Sequence, residues 1–180
     1  MVERAVTELT DSQLLSAFTG GDAGAFMHLY ERHARGLYGY ALALAGQAEL
    51  AADCVQELWL KVVKNAHKLA GYTNPRAFFF KTLRNQVYDE FRRRGHERKL
   101  TARFAEIPLV RPKDGLATAE EAAAIEAAVK QLPDEQREVI LLRVYGELSF
   151  PEIAEITGTP VKTVESRHRL GLEKLREKLE

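Results

Sequence analysis

Residues 149–175 read SFPEIAEITGTPVKTVESRHRLGLEKL, and their pattern decides the fold. Ser149 and Glu152 have the spacing of a capping box, which opens a short helix. Ile153, Ala154 and Ile156 give that helix an apolar face, and Gly158 ends it. Thr159 is placed to cap a second helix, with Pro160 at its first position. Val161, Val164, His168, Leu172, Leu175 and Leu179 recur at helical spacing and are its expected buried stripe. A short helix, a glycine-containing turn and a longer basic helix make a helix-turn-helix, whose second helix enters the major groove of DNA. The residues off the stripe are Lys162, Thr163, Ser166, Arg167 and Arg169. Their cations can donate to guanine O6 and N7, and their hydroxyls can serve either strand. The helix N-terminus offers free N–H groups to a phosphate. Glu165 lies in the same zone, where it can pair with Lys162 or Arg169, or accept from cytosine N4.

Working outward, the whole chain reads as helical, with no sustained period-two alternation. One helix is expected over 120–131 and another from Pro133 to Gly146, with Val139, Ile140, Leu142 and Val144 inside. Nearer the N-terminus, helices are expected over 11–19, from the cap Asp22 to Gly46, over 48–69, and from Asn74-Pro75 to about Arg94. Phe78, Phe79, Leu83, Val87 and Phe91 form the apolar side of the last of these. Residues 96–119 contain Pro108, Pro112 and Gly115 without a core pattern, and read as a linker. The expected fold is all-α: a four-helix domain over 1–95, a flexible linker over 96–119, and a helix-turn-helix domain over 120–180. The linker permits either a closed or an extended placement of the two domains.

The formal net charge is zero, but the charges are segregated, and distribution matters more than the sum. Residues 76–99 hold eight Lys and Arg against three Asp and Glu, and residues 162–178 hold six against three. Between them, residues 131–160 hold two against six. Two basic patches fit two DNA contacts, and the acidic block fits a protein partner. In the first patch Arg84, Asn85, Tyr88, Arg92 and Arg93 mix cations, an amide and an aromatic ring, a composition that suits single-stranded nucleic acid. Trp59, Phe79 and Phe80 are either further stacking surfaces or core.

Other chemistries are poorly supported. Cys54 is the only cysteine and reads as a small buried hydrophobe. The five histidines lack partners at ligand spacing, and the common catalytic and nucleotide-binding motifs are absent, so neither an enzyme, a metal site nor a cofactor is expected. Residues 1–10 have no apolar core and do not read as a signal peptide. No apolar run has the length of a membrane span, and the expected location is cytoplasmic. Two other readings remain: a stand-alone dimeric regulator of a palindromic site, and a protein-binding adaptor.

Four stretches carry a family resemblance: AFMHLYERHARGLYGYALALAG (25–46), LAADCVQELWLKVVKN (50–65), NPRAFFFKTLRNQVYDEFRRRGHER (74–98) and the region-4-like stretch from LPDEQREV onward (132–179). Together, in this order, they resemble the extracytoplasmic-function (ECF) subgroup of the bacterial sigma-70 family. The resemblance implies a protein that binds core RNA polymerase, through the β′ clamp helices and the β flap, and both duplex and single-stranded promoter DNA. It places Asp53, Gln56 and Glu57 on the polymerase. It places Arg84, Asn85, Tyr88, Asp89, Arg92 and Arg93 at the −10 element, and Lys162, Thr163, Ser166, Arg167 and Arg169 at the −35 element. It also implies an anti-sigma factor as partner. Glu165 and Leu170 stand where the family commonly has basic residues.

Overall fold

A computed structural model describes residues 9–93 and 119–180. The expected linker lies, but for its last residue, outside the described residues. The described chain is all-α, in two helical clusters. The first holds α1 (Asp11–Thr19), α2 (Ala23–Ala45), α3 (Ala48–Lys64), α4 (Ala66–Ala70) and α5 (Pro75–Arg93). The second holds α6 (Ala119–Lys130), α7 (Asp134–Gly146), α8 (Phe150–Thr157) and α9 (Val161–Leu179).

Two starts in the first cluster follow the sequence signals. Asp22 Oδ1 accepts from the N–H groups of Gly24 and Ala25, and Asn74 Oδ1 accepts from Ala77 N–H at 3.3 Å. The helix expected over 48–69 is in fact two. Asn65 Nδ2 donates to the Lys61 carbonyl at 2.7 Å, while the Asn65 carbonyl accepts from both Lys68 and Leu69. An asparagine side chain offers the backbone an alternative to the helical ladder, so the chain breaks and restarts there. The first cluster therefore has five helices rather than four.

α2 is the axis of the first cluster, with Leu29, Leu37, Tyr40 and Leu44 essentially inaccessible. Trp59 packs on Phe26, Tyr30 and Phe79, with ring centroids 5.7, 5.1 and 5.9 Å away. Trp59, Phe79 and Phe80 are thus core and unavailable for stacking on bases. Cys54 is buried as expected. α1 is tied to α2 by Asp11, which meets His33 Nε2 and Arg32 Nη1, each at 2.8 Å. Burial pushes the Asp11 carboxyl up, but His33 and Arg32 together outweigh burial and hold it below the usual carboxylate value.

In the second cluster the buried Arg137 sits behind the end of α6. Its guanidinium donates to the carbonyls of Val129, Lys130 and Leu132, satisfying groups that a helix C-terminus leaves open. Gly158 joins α8 to α9 at φ 67°, a left-handed conformation that glycine adopts without penalty. The expected Thr159 cap is not formed. Pro160 holds the cap position, and the Thr159 hydroxyl accepts from Arg167 Nη1 at 3.3 Å. The expected α9 stripe also shifts. Val164 and Gly171 are its buried residues, whereas Val161, Leu172 and Leu179 are exposed. Gly171 lets α9 close on α7, since a Cβ there would stand 2.7 Å from Ile140 Cδ1. Leu172 lies about 100° further round the helix and misses that contact.

The two clusters pack on each other, with α2 and α5 against α7 and α8. Tyr145 of α7 seats in a notch on α2. A Cβ on Gly39 would lie 2.3 Å from the Tyr145 ring, and one on Gly36 would lie 2.5 Å from the Tyr145 carbonyl oxygen.

Candidate polymerase and nucleic-acid interfaces

The three groups of expected site residues lie on different surfaces. Asp53, Gln56 and Glu57 are exposed along α3. Glu57 meets Lys61 at 2.9 Å, and that hydrogen bond lowers its pKa. The same face carries an apolar cleft of about 450 Å³ between α2 and α3, lined by Phe26, Tyr30, Tyr38, Trp59, Leu60 and Val63. Leu60 is 64% exposed and Val63 44%, unusual for large aliphatic side chains beside a core.

The residues expected at the −10 element divide between two faces of α5. Asn85, Asp89, Arg92 and Arg93 are exposed. Arg92 pairs with Asp89, and Arg93 with Glu90 at 2.6 Å. Arg84 and Tyr88 turn the other way, toward α7. Arg84 donates to both oxygens of Glu138, at 2.7 and 3.3 Å, and Tyr88 Oη donates to the same carboxylate at 3.1 Å. The Arg84 guanidinium also lies 4.6 Å from the centroid of the Tyr88 ring. Burial pushes the Arg84 pKa down, but the hydrogen bond and charge of Glu138 raise it overall.

On α9, Lys162, Glu165 and Arg169 are exposed, and Thr163, Ser166 and Arg167 are half-buried. Arg169 pairs with Glu173 at 2.8 Å, and Arg167 with Glu135 of α7 at 2.6 Å. Glu165 is exposed beside Lys162 and Ser166, in the zone where the helix-turn-helix pattern puts DNA. His168 packs on the Phe150 ring at 5.1 Å, and burial, aided by the Arg143 charge, lowers its pKa.

Sequence reasoning missed Glu138, Tyr145 and the Gly36/Gly39 notch. One signal was present for Glu138. It falls on the buried side of α7 with Leu141 and Leu142, and a carboxylate on an apolar stripe needs a partner.

Two family models match the chain: sigma-70 region 2 over residues 29–97 and sigma-70 region 4 over residues 122–175. The ECF RNA polymerase sigma factor SigL of Mycobacterium tuberculosis is 31% identical, over 90% of this chain and 93% of its own. The chain belongs to the ECF sigma factors. It therefore serves transcription initiation with RNA polymerase at promoters and is not itself an enzyme. The ECF sigma factor SigW of Bacillus subtilis is 27% identical over 88% of this chain and 91% of its own. Among solved structures, the sigma factor RpoE of Bartonella quintana, in complex with the anti-sigma factor NepR, matches with TM-score 0.67 and 26% identity. That match covers 86% of this chain and 96% of RpoE. CnrH, in complex with the cytosolic domain of CnrY, shares the fold with TM-score 0.63 at 24% identity, over 94% of this chain and 96% of CnrH. Among the described residues, no helix is long and apolar enough to cross a membrane.

Proposed function

We propose that this sigma factor divides its work among three surfaces. The α3 face, with Asp53, Gln56 and Glu57, docks on the β′ clamp helices of core polymerase, and the apolar cleft beside it supplies buried area. The exposed face of α5, with Asn85, Asp89, Arg92 and Arg93, meets the −10 element, and Arg84 and Tyr88 join it in holding unpaired bases. The N-terminal half of α9, with Lys162, Thr163, Ser166, Arg167 and Arg169, reads the −35 element in duplex form. The second domain, over 120–180, engages the β flap. The first domain covers 1–95 and the linker 96–119. An anti-sigma factor is a further partner, by analogy with the solved RpoE complex. The setting for these contacts is the cytoplasm.

The observation that carries this reading is the separation of chemistry along the helices. A carboxylate-bearing, partly apolar face lies on α3, and cation-rich faces lie on α5 and α9. Polar and apolar groups together suit a protein interface, and cations suit phosphates. The sigma factor performs no bond chemistry. It lowers the cost of strand opening by binding bases once they leave the stack.

Run-off transcription with core polymerase and a promoter library tests the reading. Initiation at a subset of promoters is expected. A chain that neither joins core nor directs initiation contradicts it. Arg92→Ala combined with Arg93→Ala is expected to impair promoter opening while leaving core association intact. Loss of core association instead would put the −10 surface elsewhere.

A further inference from the structure

Glu165 is the only acidic residue between Val161 and Gly171, the part of α9 proposed to meet DNA. Successive residues turn by about 100° around a helix. The buried Val164 therefore sets the inner side of α9, and Lys162, Ser166 and Arg169 point most nearly away from it. Glu165 stands on the flank nearer Lys162 and Arg169, and all three are exposed. Either cation has the spacing to pair with Glu165 along the helix. Arg169 pairs with Glu173 instead, at 2.8 Å. Lys162 does not take its place: among the described residues, Glu165 has no ion pair and no side-chain hydrogen bond. The outer face of the helix thus carries a carboxylate whose acceptor sites are all open.

Beside a duplex, such a group works against binding unless a base donates to it. An ionised carboxylate only accepts, and the phosphates repel it. The major groove offers two donors, the N4 amino group of cytosine and the N6 amino group of adenine. In adenine the amino group lies next to N7, an acceptor that also repels a carboxylate. Guanine presents only acceptors there, and thymine an acceptor and a methyl group. Cytosine alone presents a donor without an acceptor. Lys162, about one turn back on the same flank, can donate to O6 of the guanine paired with that cytosine, so acid and base together match one base pair.

We infer that Glu165 makes this sigma factor select a cytosine in the duplex −35 element, by accepting from its N4 amino group. This rests on the assignment of the N-terminal half of α9 to duplex −35 DNA made above, and adds to it the base that one residue chooses.

The test uses the full chain assembled with core polymerase and a library of promoter duplexes randomised across the −35 element, with the bound fraction sequenced. The parent chain is expected to enrich cytosine about fivefold over each other base at one position of one strand. Glu165→Gln is expected to move that position to adenine, since an amide both accepts from N6 and donates to N7. Glu165→Ala is expected to leave the position without preference. Both replacements are good helix formers at an exposed site, so the fold is retained. Cytosine preferences that all persist in Glu165→Ala overturn the inference. Tighter binding of every duplex by Glu165→Ala, with base preferences unchanged, also overturns it, because a carboxylate that only repels phosphates would give that result. Preferences that respond to Arg167→Ala but not to Glu165→Ala overturn this inference alone. A parent chain that enriches no −35 sequence overturns it together with the assignment of α9.

Discussion

The two helices proposed to meet DNA each give an arginine to a carboxylate of α7, and the two pairs differ in setting. Arg84 meets Glu138 between the clusters, where the side chains are 15% and 11% exposed. Arg167 meets Glu135 within the second cluster, where Glu135 is 70% exposed. The distances are nearly equal, at 2.7 and 2.6 Å, so geometry does not separate the pairs and burial does. An exposed pair is worth about 0–1 kcal/mol and yields readily to a phosphate. A buried pair leaves an uncompensated charge when one partner is removed, at a cost of about 3–5 kcal/mol. With the DNA surfaces proposed above, Arg167 can meet duplex DNA while the clusters stay together, whereas Arg84 can meet unpaired bases only if it leaves Glu138. The α3 face proposed to dock on polymerase is exposed, with Asp53, Gln56 and Glu57 clear of the seam between the clusters.

The largest expected effect follows from deleting the buried partner. Glu138→Ala should weaken the contact between the clusters by about 3–5 kcal/mol, read as faster amide exchange along α7 and the inner face of α5. Next is Arg167→Ala, which should weaken binding of duplex −35 DNA by about 1–3 kcal/mol if the guanidinium reads a base. Unchanged affinity would move the reading surface elsewhere on α9. Glu135→Ala should change stability by less than about 1 kcal/mol, and an effect as large as that of Glu138→Ala would erase the distinction drawn from burial.

The smallest effect concerns pH. Tyr145 sits in the glycine notch, where burial, aided by the Glu126 charge and opposed by Arg35, raises its pKa from 10.0 to about 12. The closed packing thus favours the neutral phenol. Its contribution is intact below the ordinary tyrosine value and is lost as pH rises toward the closed-state value. The clusters should separate further between about pH 10 and 12, and Tyr145→Phe should remove that part of the response.

Local signals in the sequence carried most of the helices because they act over a few residues. Asp22, Asn74 and Gly158 do in the fold what their residue types predict. Asn65 was harder to read, since its side chain competes with the helix only through a bond to Lys61 that spacing does not reveal. The displaced α9 stripe has a tertiary cause: Gly171 chooses the face by letting Ile140 approach. The candidate site is legible in the sequence as sets of residues of like chemistry, but not in how the fold divides them among faces and partners. Spacing puts Arg84 and Tyr88 on one side of α5, and Asn85, Asp89 and Arg92 on another. It does not show that Glu138, 54 positions after Arg84 and 50 after Tyr88, covers the first set. By charge alone the acidic block reads as a surface for another protein, and its Glu138, Glu147 and Glu155 also meet cations of α5.

The most direct measurement is the distance between α5 and α7 in the free chain and in a transcribing complex, from dyes on exposed positions of the two clusters. A short distance is expected in the free chain and a longer one once core polymerase and an opened promoter are bound, since Arg84 in its proposed role has to leave Glu138 to meet the −10 element. A complex that initiates transcription with the distance unchanged would contradict it.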